Sequence, residues 1–370
     1  MRDLSILIVG GGIGGLTAAI ALRQRGFAVT LVEKDPAWSV YGVGIIQQGN
    51  VLRAVQALGI LDRYVDAGAG FDFVEVYAPD GTRVARVPSP RLLTAYSANL
   101  GISRRALQQI LSDAASEAGT LMQRGVTVTA FEDGEAARVR FSNGEEATFD
   151  LVVGADGIHS QTRAMVFPEA DTPAFTGQAV WRYNLRRPAT LDALHVYNGP
   201  IGAGLVPIAP DTMYLYLTTP EPDNPRYPHE NLAAIMRQKA GTCAPAIRAL
   251  SQQITDNDGV VYRPLEGLFV EGPWHMGRIV LLGDAAHTTT PHLGQGAGLA
   301  IEDSLVLAEE LARGDNIEEV FSVYRERRFE RCAYVVRASL AICMGQLGKG
   351  PLIDNARATA EMFALTAQPI

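Results

Sequence analysis

Gly10-x-Gly12-x-x-Gly15 stands between an apolar run, Leu4 to Val9, and a helical stretch, Leu16 to Arg25. In that context Gly10 permits a tight turn, Gly12 lets the backbone approach a pyrophosphate, and Gly15 lets helix and strand pack closely, with the helix N-terminus facing the anion. Glu33 ends the next apolar run, about 20 residues on, where a carboxylate accepts both hydroxyls of a ribose. This is the chemistry of dinucleotide binding, and the motif alone does not separate NAD from FAD. A second segment, Gly283-Asp284-Ala285-Ala286-His287, continues through Pro291 to Gly294-Gln295-Gly296-Ala297-Gly298 and again lies between a strand and a helix. There an aspartate can hydrogen-bond a polyol, and the N–H groups of a glycine turn can stabilise a developing negative charge. His287 reads as satisfying the loop backbone, and His275 and His292 as structural. Between these segments lies Asp156-Gly157-x-x-Ser160-x-x-Arg163. Tyr214 and Tyr216 are two apart on one strand and share a face; Trp181 and Tyr183 form a similar pair, with Arg182 pointing the other way. A tyrosine beside a phenolic ring accepts a hydrogen bond or assists deprotonation, although half-buried strands favour Tyr and Trp for packing alone.

The elements that must position these residues follow from periodicity. Leu4–Val9, the glycine turn, the helix ended by Gly26 and Phe27–Val32 make a βαβ unit whose apolar strands suit a parallel sheet covered on both faces. Val51–Leu58 and Leu107–Ala118 read as helices. Phe71–Tyr77 and Arg83–Val87 read as antiparallel strands around Pro79-Asp80-Gly81. Val126–Phe131 and Ala137–Phe141 flank Asp133-Gly134, Ser142-Asn143-Gly144 is a hairpin turn, and Ala147–Val153 runs into Gly154. From Gly177 to about Glu271 short strands alternate with Pro/Gly turns: Ala179–Leu185, Leu194–Tyr197, Gly204–Ile208 and Met213–Leu217, with one helix at Glu230–Lys239. This predicts an antiparallel α+β insert. Arg278–Leu282 returns to α/β character, and a long helix from Ile317 to about Met344 precedes a short tail.

Composition narrows the classes. With 47% hydrophobic and 19% charged residues, the 370-residue chain can bury a large core. A net charge of −8, with only Lys34, Lys239 and Lys349 as lysines, is the wrong sign for a phosphate-backbone binder, so no nucleic-acid partner is expected. Cys243, Cys332 and Cys343 lack metal-ligand spacing and read as reduced thiols; no metal site and a cytoplasmic location are expected. The apolar start is broken by glycines, and no membrane span is expected.

Taken together, Gly10 to Gly15 with Glu33, Asp156 to Arg163, and the Gly283-Asp284 loop resemble the class A flavoprotein aromatic hydroxylases, salicylate-hydroxylase-like enzymes of the para-hydroxybenzoate hydroxylase fold, over roughly residues 4 to 330. The resemblance implies an α/β fold: a Rossmann-like FAD-binding domain of the GR2 type (1–70, 99–176 and 273–345, with the long helix), an inserted antiparallel-sheet substrate domain (71–98 and 177–272), and a tail at 346–370. It implies tightly bound FAD, with Gly10, Gly12 and Gly15 around the pyrophosphate and Glu33 at the adenosine ribose. Asp284 would serve the ribityl chain and pyrophosphate region, and Arg104, with Gln108 a turn later, the ribityl and phosphate groups. Asp156 would serve both FAD and NAD(P)H. Pro291, Gly296, Ala297 and Gly298 would border the isoalloxazine ring. Gly49-Asn50 departs from relatives, which often carry a proline before the asparagine; that bears on the local shape of the flavin-side wall.

In such proteins NADH or NADPH reduces FAD, O₂ adds at flavin C4a, and one oxygen atom passes to an electron-rich ring, so the protein must orient the ring and manage a phenolic proton. Tyr214, Tyr216 and Gln47 are the candidates for that work, with His195 a further one. The stretch Gly199–Gly204 carries no charge and offers no carboxylate-binding arginine, which favours a neutral or weakly polar ring. The expected substrate is a small phenolic or heteroaromatic molecule, and the expected state a monomer or homodimer. A reductase or oxidase of the same fold on a non-aromatic substrate, or a non-catalytic FAD-binding protein, are the alternatives. A halogenase is disfavoured by the lack of a Trp-x-Trp-x-x-Pro stretch and of a lysine near the flavin region.

Overall fold

A computed structural model describes residues 4–40, 42–132 and 134–370; the expected turn residue Asp133 lies outside them. The chain opens as anticipated. Ser5–Val9 runs parallel to Ala28–Glu33 on one side and to Leu151–Gly154 on the other, in a six-stranded sheet completed by His275–Met276, Ile279–Leu281 and Leu121–Arg124. Ile6, Leu7, Ile8, Leu31 and Val153 are fully buried because both faces are covered. Ile6 and Ile8 meet the core beneath the helices Ile13–Gln24, Gly296–Arg313 and Ile317–Gln346, while Leu7 and Val9 meet Val139 and Phe141 of a three-stranded sheet. Leu121–Arg124 joins the edge of the parallel sheet, and with only two apolar residues, Leu121 and Met122, in a mostly exposed strand, no apolar run announced it.

The run Ala147–Val153 proves to be two strands. Glu146–Phe149 belongs to the three-stranded sheet and Leu151–Gly154 to the parallel one. They separate at Asp150, whose carboxylate accepts from the backbone N–H and the hydroxyl of Ser5, both at 2.7 Å.

The insert is a seven-stranded sheet in the order Val261–Gly267, Ala174–Arg186, Thr212–Pro220, Gly202–Pro207, Leu194–Tyr197, Phe73–Tyr77 and Arg83–Pro88. It is antiparallel except at one place: Leu194–Tyr197 runs parallel to Phe73–Tyr77, which corrects the purely antiparallel expectation. Helices Leu232–Ala240 and Pro245–Ser251, the second not anticipated, cover one face through Leu232, Met236 and Ile247. The other face turns toward a small sheet of Gly44–Gln48, Asn99–Ser103 and Gly68–Phe71. Two glycines allow that approach. A Cβ on Gly101 would run into the carbonyl oxygen of Pro207, and one on Gly44 would lie 2.8 Å from the Tyr214 ring.

The tail is ordered by the body. Its helix, Asn355–Ala367, is capped by Asp354, buries Met362, and ends where Arg53 donates to the carbonyls of Thr366, Ala367 and Gln368. Among the described residues no helix is long and apolar enough to cross a membrane.

Candidate active site

The three motif glycines have different reasons to be glycine. Gly10 has φ +107°, and a Cβ there would run into the Ala155 carbonyl; a Cβ on Gly15 would run into the carbonyl of Gly10. Both are demanded by the protein's own packing. A Cβ on Gly12, the residue before the helix Ile13–Gln24, would meet no atom within 4 Å. This helix start has no side-chain cap and points its free N–H groups outward, as an anion-binding terminus does. Glu33 is held beside it: its oxygens accept from the N–H groups of Gly11 and Asp35, both at 2.8 Å. That leaves lone pairs on each oxygen for ribose hydroxyls. Gln108 reaches the same loop, donating to the Gly11 carbonyl at 3.1 Å. Trp38, which sequence reasoning missed, donates its indole N–H to that carbonyl at 2.8 Å from a backbone at φ 51°, a left-handed conformation rare for so large a residue. With Ser39, Val40 and Arg105, Trp38 and Gln108 line a recess of about 380 Å³.

Gly283 (φ +64°) turns the chain out of the parallel sheet and starts the short helix Asp284–His287. Asp284 is exposed in a recess while Ala285, Ala286 and His287 are buried. The surrounding protein desolvates its carboxyl and raises its pKa, against the pull of His287 and Arg104. Arg104 therefore lies near Asp284. Behind the loop sits a buried ionic network. Asp303 accepts from the Gly283 N–H at 3.1 Å, lies 2.7 Å from His287 Nε2 and accepts from Arg328 Nε at 2.7 Å; Glu302 pairs with Arg328 and Arg331. Burial opposes a charge on His287, but Cys332 and Asp303 hold its pKa well above the usual range. His287, Asp303 and Cys332 lie close enough to share an ion, yet Arg328 already supplies the cation there.

Asp156 spends its carboxylate on the Ser160 hydroxyl at 2.5 Å and on the N–H and hydroxyl of Thr162 at 2.9 and 3.0 Å. Buried Arg163 donates to the carbonyls of Ile158 and Ala285, both at 2.8 Å. The visible work of this motif is to clamp its own loop to the one bearing Asp284.

Pro291–Leu293 forms a single 3₁₀ turn, Gly294 follows at φ +67°, and the 18-residue helix Gly296–Arg313 begins with no side-chain cap. The N–H groups of Gly296, Ala297 and Gly298 thus head an open helix terminus. Gln48 donates to the Leu293 carbonyl at 3.1 Å and hydrogen-bonds Gln295, and Asn50 bridges Gln295 and Glu302 at 3.0 and 2.9 Å. Gly49 is the first residue of the helix Gly49–Ala57, and a Cβ there would lie 3.2 Å from Leu92 and 3.3 Å from the Pro90 carbonyl oxygen. Gln47 is fully buried and donates to the Ile46 carbonyl; alternation turns it away from Ile46, which packs with Tyr214 and Tyr216. Gln48, one residue on, is the side chain that reaches the loop.

On the sheet face opposite this wall, register decides the composition. Arg182 lies directly across from Tyr216, and Asn184 from Tyr214, so Arg182 shares a face with both tyrosines. The Tyr216 ring lies flat over Gly204, where a Cβ would collide with it. No hydrogen bond or ion pair to another described residue engages the Arg182 guanidinium or either hydroxyl. Burial raises the pKa of both tyrosines, with Arg182 opposing, so both remain protonated donors at neutral pH. Arg104 also lies near Tyr214, linking this face to Asp284. Trp181 and Tyr183 face the helices instead, opposite Leu217 and Leu215. His195 goes with them: it lies across from Leu205, 3.3 Å from Glu75 and away from the two tyrosines.

The fold and these loops define an FAD-dependent monooxygenase of class A. A model of the FAD-binding domain family matches residues 3–339, and the chain belongs to that family. It is 32% identical over 357 residues to 2-heptyl-3-hydroxy-4(1H)-quinolone synthase of Pseudomonas aeruginosa, covering 94% of this chain and 90% of that one. It is 30% identical over 363 residues to 6-hydroxynicotinate 3-monooxygenase of Bordetella bronchiseptica, covering 90% of each. In fold it resembles Klebsiella pneumoniae HpxO complexed with FAD and uric acid, with a TM-score of 0.84, 24% identity, and coverage of 99% of this chain and 93% of that one. The residues present fit FAD: the open cradle at Gly12, Glu33 beside it, exposed Asp284, and the uncapped helix at Gly296.

Proposed function

We propose that the chain hydroxylates a small phenolic or heteroaromatic ring, consuming NADH or NADPH and O₂, with the ring seated between the Pro291–Gly298 loop and the sheet face bearing Tyr214 and Tyr216. The observation that carries this reading is that face. Two protonated hydroxyls and a guanidinium, none with a hydrogen-bond or ion-pair partner among the described residues, stand opposite the segments that would hold FAD: Gly10, Gly12, Gly15 and Glu33 for its adenosine diphosphate half, Asp284, Arg104 and Gln108 toward the middle, and Gly296, Ala297 and Gly298 for its ring. Bound FAD supplies the electron transfer and the activation of oxygen. The chain's own residues bind and orient the ring, and Ile46, Val206 and Ile208 keep water from it. Tyr214 and Tyr216 donate hydrogen bonds to the oxygen substituents of the ring. Their raised pKa makes them donors at neutral pH and leaves deprotonation to another group. The names of the two relatives denote hydroxylated nitrogen heterocycles, which favours a heteroaromatic ring over a simple phenol.

The test is oxidation of NADH and NADPH by FAD-loaded protein across phenols, aromatic acids, hydroxypyridines, quinolones and purines, with product mass followed alongside peroxide. A ring that accelerates oxidation and gains one oxygen atom supports the reading. FAD binding with no acceleration by any ring would count against it.

A further inference from the structure

The loop Pro291–Gly298 is held at both ends by the C-terminal part of the chain. Gln295, the residue before the helix Gly296–Arg313, is fully buried, and its amide nitrogen lies among three acceptors: Asn50 Oδ1 at 3.0 Å, Gln48 Oε1, and the sulfur of Met362 at 3.4 Å. Met362 is itself fully buried, on the tail helix Asn355–Ala367. At the other end of the loop, His292 Nε2 lies 3.1 Å from Oε1 of Gln346, the last residue of the long helix. The tail is fastened in turn by guanidinium groups. Arg53 donates to the carbonyls of Thr366, Ala367 and Gln368, Arg331 to those of Gln368 and Pro369, and Arg327 to that of Ile370. Arg331 also pairs with Glu302, which accepts from Asn50, the partner of Gln295. One polar chain therefore runs from the tail backbone to the residue that starts the helix.

We propose that the tail helix is a strap that sets this helix terminus, with Met362 as its positioning residue. It fixes Gln295, hence the direction of the N–H groups of Gly296, Ala297 and Gly298, and through them how strongly the protein stabilises negative charge on the bound flavin ring. A helix terminus does that only while its N–H groups point at the charge, and the side chains packed behind the terminus set where they point. The effect on the flavin rests on the ring placement proposed above; the strap itself rests on the protein contacts alone. Little slack remains at the terminus, where a Cβ on Gly298 would lie 2.6 Å from Val51 and 2.8 Å from Gln295 Oε1.

Two readouts on the FAD-loaded protein, neither needing turnover, separate the strap from the ring. One is hydrogen exchange at the Leu299 amide, which donates to the Gln295 carbonyl at 2.9 Å and closes the first turn of the helix. The other is the midpoint potential of bound FAD. M362A should speed exchange at Leu299 about tenfold, as a loosened local turn does. It should also lower the reduction equilibrium of FAD about threefold, a shift of about 14 mV toward negative potential for a two-electron couple. M362L, which refills the space, should restore most of both. M236A removes an equally buried methionine beneath the insert helices; it should lose stability and move neither readout. Unchanged exchange in M362A, or equal changes in M236A, would overturn the strap. Faster exchange with an unchanged potential would keep the strap and overturn the placement of the ring at this terminus. Should M362A not fold, R53Q decides: it frees the carbonyls of Thr366, Ala367 and Gln368 and leaves the partners of Gln295 in place. Exchange at Leu299 should still quicken, and unchanged exchange would overturn the strap.

Discussion

The two faces of the seven-stranded sheet hold similar residues and treat them in opposite ways. On the helix-covered face, polar groups satisfy one another: Glu75 accepts from the Tyr77 hydroxyl and Arg86, both at 2.5 Å, and from Arg83 at 3.1 Å, with His195 3.3 Å away. Trp181 donates to the Thr219 hydroxyl at 2.9 Å and is sealed between helices and sheet. On the face turned to the FAD-binding loops, Arg182, Tyr214 and Tyr216 have no such partners among the described residues. Residue type therefore does not distinguish structure from site here; completed hydrogen bonding does. The glycine loop repeats the contrast, with Gly10 and Gly15 explained by protein contacts and Gly12 by none.

Changes on the covered face should cost stability and leave chemistry alone. Trp181→Ala removes a fully buried indole and should cost about 3–5 kcal/mol in chemical denaturation, with FAD content per folded molecule unchanged. The glycine loop supplies the converse. Gly12→Val should fold with a near-normal melting temperature, yet bind FAD about a hundredfold more weakly in a fluorescence titration, because the new side chain projects where the pyrophosphate must approach. Gly15→Val, by contrast, should not accumulate as folded protein.

A smaller effect is expected at Glu75. Burial raises its pKa, but the hydrogen bonds from Tyr77 and Arg86 outweigh that and leave it below its ordinary value. A lowered folded-state pKa means that the ionised carboxylate stabilises the fold at neutral pH, and that this contribution is lost as pH falls through and below the ordinary carboxylate range. Glu75→Gln should thus cost about 1–3 kcal/mol at neutral pH. The gap from the unmodified protein should narrow on acidification, as thermal melts over a pH series would show. A gap that widens toward low pH would break the assignment of Glu75 to structure.

Much of the cofactor side was legible because its determinants are local. A strand, three glycines and an acid within one βαβ unit state their own geometry, and the loop at Gly283 does the same. The substrate side depends on register between strands far apart in sequence. Alternation correctly set Arg182 against Trp181 and Tyr183, but only the pairing of Arg182 with Tyr216 shows that it shares a face with the two tyrosines. The same dependence separates Gln47, the candidate for work on the ring, from Gln48, which reaches the loop, since a shift of one residue moves a side chain to the opposite face. Trp38 and the tail helix were invisible for another reason. Their positions are set by contacts with residues distant in sequence, from Trp38 to the Gly11 carbonyl and from Arg53 to three carbonyls of the tail, and these leave no periodic signal.

The measurement that tests the contrast between faces most directly uses two tyrosines on one sheet. Ring-stimulated NAD(P)H oxidation and oxygenated product are followed for the unmodified protein, Tyr216→Phe and Tyr183→Phe with the most stimulating ring. The account predicts oxygenated product from the unmodified enzyme and from Tyr183→Phe at similar rates, and a loss of about fivefold or more in kcat/KM for Tyr216→Phe, the scale of one hydrogen bond to the substrate. Equal losses in the two variants, or no loss in Tyr216→Phe, would contradict it.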